Sequence, residues 1–150
     1  MEKLWNRLLL VISFWFLISI GKMNAQNTND NEVTRKFQEF RKKRLFHEDL
    51  ARSYPGLSQE HLRDVLTQKI MLATFDFEHL ATSGHATDKD YQDKIKIGLE
   101  RFTENYLDLD TEDRERLCAY FEELMDIVGL ESSGGHLNWF MYDFDPGATE

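Results

Sequence analysis

The stretch "LDLDTEDRERLCAYFEELMDIVGL", residues 107–130, decides how the chain is read. Leu117, Phe121, Leu124 and Val128 recur three or four residues apart, the repeat that gathers side chains on one face of an α-helix. Asp110 or Thr111 stands where such a helix needs an N-cap, because a short side-chain oxygen there takes up an amide that the first turn leaves unpaired. Glu112 and Asp113 follow in the first turn, at the positive end of the helix dipole. At the far end Gly129 supplies the left-handed residue that closes a helix, and Leu130 can fold back on the last turn as in a Schellman cap.

Working upstream, Thr87 with Asp90 forms a capping box with Asp in place of Glu. It opens a helix whose apolar stripe is Tyr91, Ile95, Leu99, Phe102 and Tyr106. Gly98 lies on that stripe, and since glycine costs about 1 kcal/mol against alanine in a helix, its presence implies that another helix crosses closely there. Before it, Leu62, Val65, Leu66, Ile70, Ala73, Phe77 and Leu80 make a longer stripe, with Ser58 as N-cap, Leu57 packing on Leu62, and a stop near Ser83-Gly84. The run "EVTRKFQEFRKKRLFHEDL" carries Val33, Phe37 and Phe40 at helical spacing and reads as a first amphipathic helix ending before Tyr54-Pro55-Gly56. Downstream, Leu137, Phe140, Met141 and Phe144 suggest a short last helix ended by Asp145-Pro146-Gly147, with Ser132 or Ser133 as its N-cap. No sustained period of two flanked by turn signals occurs, so the expected class is all-α, a compact bundle of four to five helices.

The N-terminus has the layout of a secretory signal peptide: Lys3 and Arg7 precede an apolar or small run from Leu8 to Ile20, and a polar stretch reaches Ala25. Thirteen residues are too few for the roughly 20 that span a bilayer. We therefore expect a signal peptide over residues 1–25, a loose leader over 26–31, a single helical domain over 32–150, and an exported chain, periplasmic or secreted, with no transmembrane segment after cleavage. Cys118 is the only cysteine, so the domain folds without an intramolecular disulfide and its stability rests on core burial. The net charge of −9 argues against nucleic acid as a partner. It is uneven, for residues 35–44 hold six basic groups against Glu39. Such a segment suits contact with an anionic membrane surface, or it lies against the acidic body of its own chain.

Catalytic patterns fail on inspection. "GLESSGGHLNWF" places Ser132, Ser133 and His136 together, yet a serine nucleophile of the esterase type sits in a G-x-S-x-G elbow between strand and helix, and neither is present. "DLDTEDRE" alternates acids as a calcium loop does, but counted from Asp108 it offers Asp113 where glycine is required and Ala119 where glutamate is. His47, His61, His79, His85 and His136 form no H-E-x-x-H pair. Nothing in the spacing calls for a metal or cofactor. Of the aromatics Trp139, Phe140, Tyr142 and Phe144, most belong to the core, and one or two left outside would make a contact patch.

The block from Ile95 to Pro146, and within it "YFEELMDIVGLESSGGHLN", resembles a family of small bacterial proteins, domain of unknown function 4844, and the resemblance extends back to "YPGLSQEHL" at Tyr54. It implies one small domain and brings no activity, cofactor or site residue with it. The leading expectation is accordingly a non-enzymatic module that binds a protein or peptide. Its candidate surfaces are the junction containing Glu131, Ser132, Ser133, His136 and Asn138, and the basic face containing Arg41, Lys42 and Arg44. The alternative is an enzyme or small-ligand receptor with a site assembled from distant polar residues such as His136, Glu123 and Asp108.

Overall fold

The computed structural model describes residues 31–145 and Gly147. The signal peptide expected over 1–25 lies outside the described residues, as does Pro146 of the final stop signal. Asn31, the last leader position by sequence, is already helical. The described chain is all-α: α1 over 31–41, α2 Arg63–Ser83, α3 Asp88–Glu100, α4 Thr111–Val128, and α5, which runs from His136 to Asn138 and on through a π-helical turn, Trp139–Asp143. Short 3-10 turns, Leu50–Arg52, Glu60–Leu62 and Thr103–Asp108, fill the connections. Among the described residues no helix is long and apolar enough to cross a membrane.

The local signals at α3 and α4 operate as the sequence implies. Thr87 and Asp90 close a reciprocal capping box, and the Asp110 carboxylate accepts the Asp113 amide at 2.9 Å. Gly129 turns left-handed at φ 73°, so the Leu130 amide reaches back to the Met125 carbonyl and the Leu130 side chain is buried. Gly98 is the close approach that was expected. A Cβ there would stand 2.8 Å from two ring carbons of Phe121 on α4 and 3.4 Å from Cβ of Ala73 on α2. Three helices therefore converge on one position that has no room for a side chain.

The first helix is shorter than its sequence suggests. It ends at Arg41, and the chain then turns through Leu45 and Phe46, both buried. The reason is geometric: Phe46 lies nine residues beyond Phe37, two and a half turns, so on a continued helix it would face water. Instead Phe46 adopts φ 57°, its amide donates to the Tyr120 hydroxyl at 2.7 Å, and its ring meets the Tyr120 ring edge-on.

Ser58 does not cap α2, which starts at Arg63 behind a 3-10 turn, with Leu62 as a cap that contributes no side-chain bond. Its amide and hydroxyl both donate to Asp113 on α4, and the Tyr54 hydroxyl donates to the other oxygen of that carboxylate at 2.9 Å. Asp113 is fully buried, so this acid anchors the 42–62 connection to α4 in addition to lying in the first turn. Val65, placed on the inward stripe by its spacing, is instead exposed. Neither Ser132 nor Ser133 caps α5. The cap is Gly135, left-handed at φ 85°, without a side-chain bond.

Candidate functional site

The sequence-derived surfaces fall in separate places. On the basic face, Arg41 is held bidentately by Glu78 of α2, at 2.5 and 3.3 Å, and covers the Phe75 ring. Arg44 contacts the His47 ring nitrogen, and Lys42 is exposed with no ionic partner among the described residues. Lys43 pairs with Glu123 of α4. The basic segment is thus docked on the acidic body through Phe37, Phe40, Arg41 and Lys43, and only part of its charge faces outward.

The junction before α5 is fastened to α3. Gln92 donates to the Ser132 carbonyl at 3.1 Å, and the Ser132 hydroxyl accepts the Gly134 amide at 3.2 Å. Gly134 is left-handed, and a Cβ there would meet the Gln92 side chain at 3.0 Å, which explains the small residue. His136 is half-buried; desolvation, then Lys96 and Lys89, lower its pKa below the usual histidine value. Its amide donates to the Ser133 carbonyl, while its ring makes no hydrogen bond to the Ser133 hydroxyl. Glu131 and Asn138 are exposed. The trio His136, Glu123 and Asp108 is not assembled: Glu123 is occupied by Lys43 and Arg52, and Asp108 precedes α4. Thr111 to Glu123 alone amounts to about 18 Å of helix.

What the sequence reading missed is the groove between α4 and α5. It is an open depression of about 230 Å³ in which α4 contributes Glu115, Cys118, Ala119 and Glu122, and α5 contributes Leu137, Asn138, Met141 and Tyr142. Tyr142 is 78% exposed, whereas Phe140 and Phe144 on either side of it are buried. The π-helical turn separates these neighbours, and such turns inside helices recur at functional sites.

Glu115 and Glu122 pair with no cation among the described residues. The Cys118 thiol, 7% exposed in the groove, is pushed up to about 12 by burial first and then by Glu122 and Glu115, which flank it with negative charge. Glu112, Glu115, Ala119, Glu122 and Asp126 follow one another at three- and four-residue steps, so they share the outward face of α4. Residues 108–145 contain eleven acids against Arg114 and Arg116, a net −9 that equals the charge of the whole chain. That concentration was available from sequence and would have pointed to this face.

Residues 27–145 match the family described as domain of unknown function 4844. The chain belongs to that family. A family member with this structure also has a relative of known fold: a DUF3571 family protein from Acinetobacter baumannii is 31% identical, covers 77% of this chain and 93% of its own, and superposes with a TM-score of 0.69. No curated protein matches the chain. Membership in domain of unknown function 4844 spans the capped helices, the Asp113 anchor and the groove alike.

Proposed function

We propose that the chain is an exported, non-enzymatic binding module whose partner is a cationic protein or peptide segment seated in the α4–α5 groove. The observation that carries this reading is the groove itself, where Ala119, Leu137 and Met141 lie beside two carboxylates, Glu115 and Glu122, that form no ion pair among the described residues. Glu115 and Glu122 are seven residues apart, about 10 Å along the helix. A partner segment with two basic side chains at that separation and an apolar residue between them meets the two carboxylates of α4 and the side chains of Ala119, Leu137 and Met141 beside them. Tyr142 offers an exposed aromatic of the kind that anchors interfaces. Asn138, from the junction surface read in the sequence, lies on the same rim.

The enzyme reading has less behind it. The Ser133 hydroxyl and the His136 ring are unpaired with each other, and a thiol pushed up to about 12 is a poor nucleophile at neutral pH. Contact of the basic helix with an anionic membrane is weakened because Arg41 and Lys43 are spent on Glu78 and Glu123.

The test is a fluorescence anisotropy titration of residues 26–150 against a helical peptide with lysines seven residues apart flanking a leucine, and against the same peptide with glutamates. The lysine peptide binds and the glutamate peptide does not. Glu115→Gln with Glu122→Gln weakens binding by about 2- to 30-fold, two charge pairs at the strength of partly exposed ones, and Tyr142→Ala weakens it by about 5-fold or more. Equal binding of both peptides, or indifference to all three substitutions, refutes the proposal.

A further inference from the structure

The end of the bundle away from the α4–α5 groove carries a second cavity, of about 270 Å³, where the start of α1, the end of α2, the start of α3 and the end of α4 meet. Phe37, Ala81, Val33 and Val128 supply apolar wall, and Thr34, Thr82 and Tyr91 are its polar residues. Among the described residues no charged side chain lines it. The Thr82 hydroxyl is already spent on the carbonyls of Glu78 and His79 within its own helix.

Tyr91 is different. It is 9% exposed, its ring packs against Phe77 at 5.4 Å between centroids, and its hydroxyl makes no hydrogen bond to another described residue. The hydroxyl is not a buried unpaired atom and keeps contact with solvent at the cavity mouth, so a ligand oxygen there would take the place of water on it. The side chain lines the cavity, so its partner is to be sought there.

We propose that this cavity binds a neutral, mainly apolar small molecule of about two fused rings, with one hydrogen-bonding oxygen that accepts from the Tyr91 hydroxyl. Size follows from volume: an apolar cavity of about 150 Å³ takes a single benzene ring, and this one is less than twice as large. Neutrality follows from the described lining, which offers an ion no opposite charge to offset the water it gives up. The site is independent of the α4–α5 groove. From Glu122 to Val128 the two are separated by about 9 Å along α4.

The experiment titrates residues 26–150 with 1-tetralone, tetralin and 2-naphthoate, following amide chemical shifts and calorimetry. Tetralone and tetralin shift the amides of Thr34, Thr82 and Tyr91, and naphthoate binds at least 10-fold more weakly than tetralone. Tyr91→Phe weakens tetralone by about 2- to 12-fold, the range of one net hydrogen bond, and leaves tetralin within twofold. Ala81→Leu, which fills the cavity from the last turns of α2, removes both. Absence of saturable binding, which includes a cavity closed by the chain's own first residues, overturns the proposal. So do shifts confined to other residues, naphthoate binding as tightly as tetralone, or equal weakening of tetralone and tetralin by Tyr91→Phe. None of these readouts involves Glu115, Glu122 or Tyr142, so failure here and failure of the peptide reading are separately visible.

Discussion

Replacing Gly98 by alanine sets two effects of known sign against each other. In a helix interior, alanine is favoured over glycine by about 1 kcal/mol, so an unopposed substitution stabilises. Here the new methyl would stand 2.8 Å from Cε1 and Cζ of Phe121, well inside van der Waals contact, with Ala73 behind it at 3.4 Å. Phe121 is fully buried and cannot swing into solvent. Overpacking of a dense core costs about 1–3 kcal/mol, so the net effect is a destabilisation of about 1 kcal/mol. For a domain of this size that corresponds to a fall in Tm of about 4 °C. The assay is urea and thermal unfolding of wild type and Gly98→Ala. Phe121→Leu is then added to each, because a smaller side chain opposite should relieve the clash. The double variant is therefore more stable than the two single effects predict, by about 1 kcal/mol of coupling. A Gly98→Ala protein more stable than wild type by the full helix-propensity increment, with additive behaviour toward Phe121→Leu, would refute the close-crossing argument.

Asp113→Ala removes the acceptor of three donors, one of them the buried Tyr54 hydroxyl. It should destabilise the domain by about 3 kcal/mol, the scale of bonds to a buried charged group, with faster amide exchange at Tyr54 and Leu57, and a loss below about 1 kcal/mol would contradict the anchoring role. The Cys118 thiol, pushed up to about 12 by burial, Glu122 and Glu115, is protonated at pH 8. A disulfide reagent should therefore leave it unmodified in the folded protein and react at once in denaturant, and rapid reaction of the native protein would disprove its burial.

What could be read from sequence was what is local. The caps of α3 and α4 each lie within four residues of the amide they satisfy, and the Gly129–Leu130 closure is complete within six residues. Gly98 was legible because a glycine on an apolar stripe has no helix-forming reason to be there. The end of α1 was not, since it is set by Tyr120, 74 residues away, which takes the Phe46 amide. Ser58 was misread for the same reason: its spacing suits an N-cap, while Asp113, 55 residues distant, offers a buried carboxylate instead. The groove depends on Leu137 and Met141 lying beside Cys118 and Ala119, a tertiary relation that no periodicity encodes. Its charge is visible in the sequence; the α5 side chains that face it are not.

If the groove takes a cationic segment as proposed, the distribution of ion pairs assigns its two parts different kinetic roles. Basic residues of α1 and the connection after it pair with Glu78 and Glu123, and Arg101 pairs with Asp76. That side of the bundle is largely neutralised, so the charge of the chain is carried where residues 108–145 lie. Long-range attraction from such a face would accelerate encounter with a cationic partner and be screened by salt, whereas the half-buried Leu137 and Met141 and the exposed Tyr142 would act only after docking and govern release. Raising ionic strength from about 0.05 to 0.5 M should consequently slow association of the lysine peptide about tenfold or more, and Tyr142→Ala should mainly speed dissociation. Stopped-flow traces separate the two. An association rate indifferent to salt, or a Tyr142→Ala variant impaired only in association, would mean that the acidic face does not steer the partner into this groove.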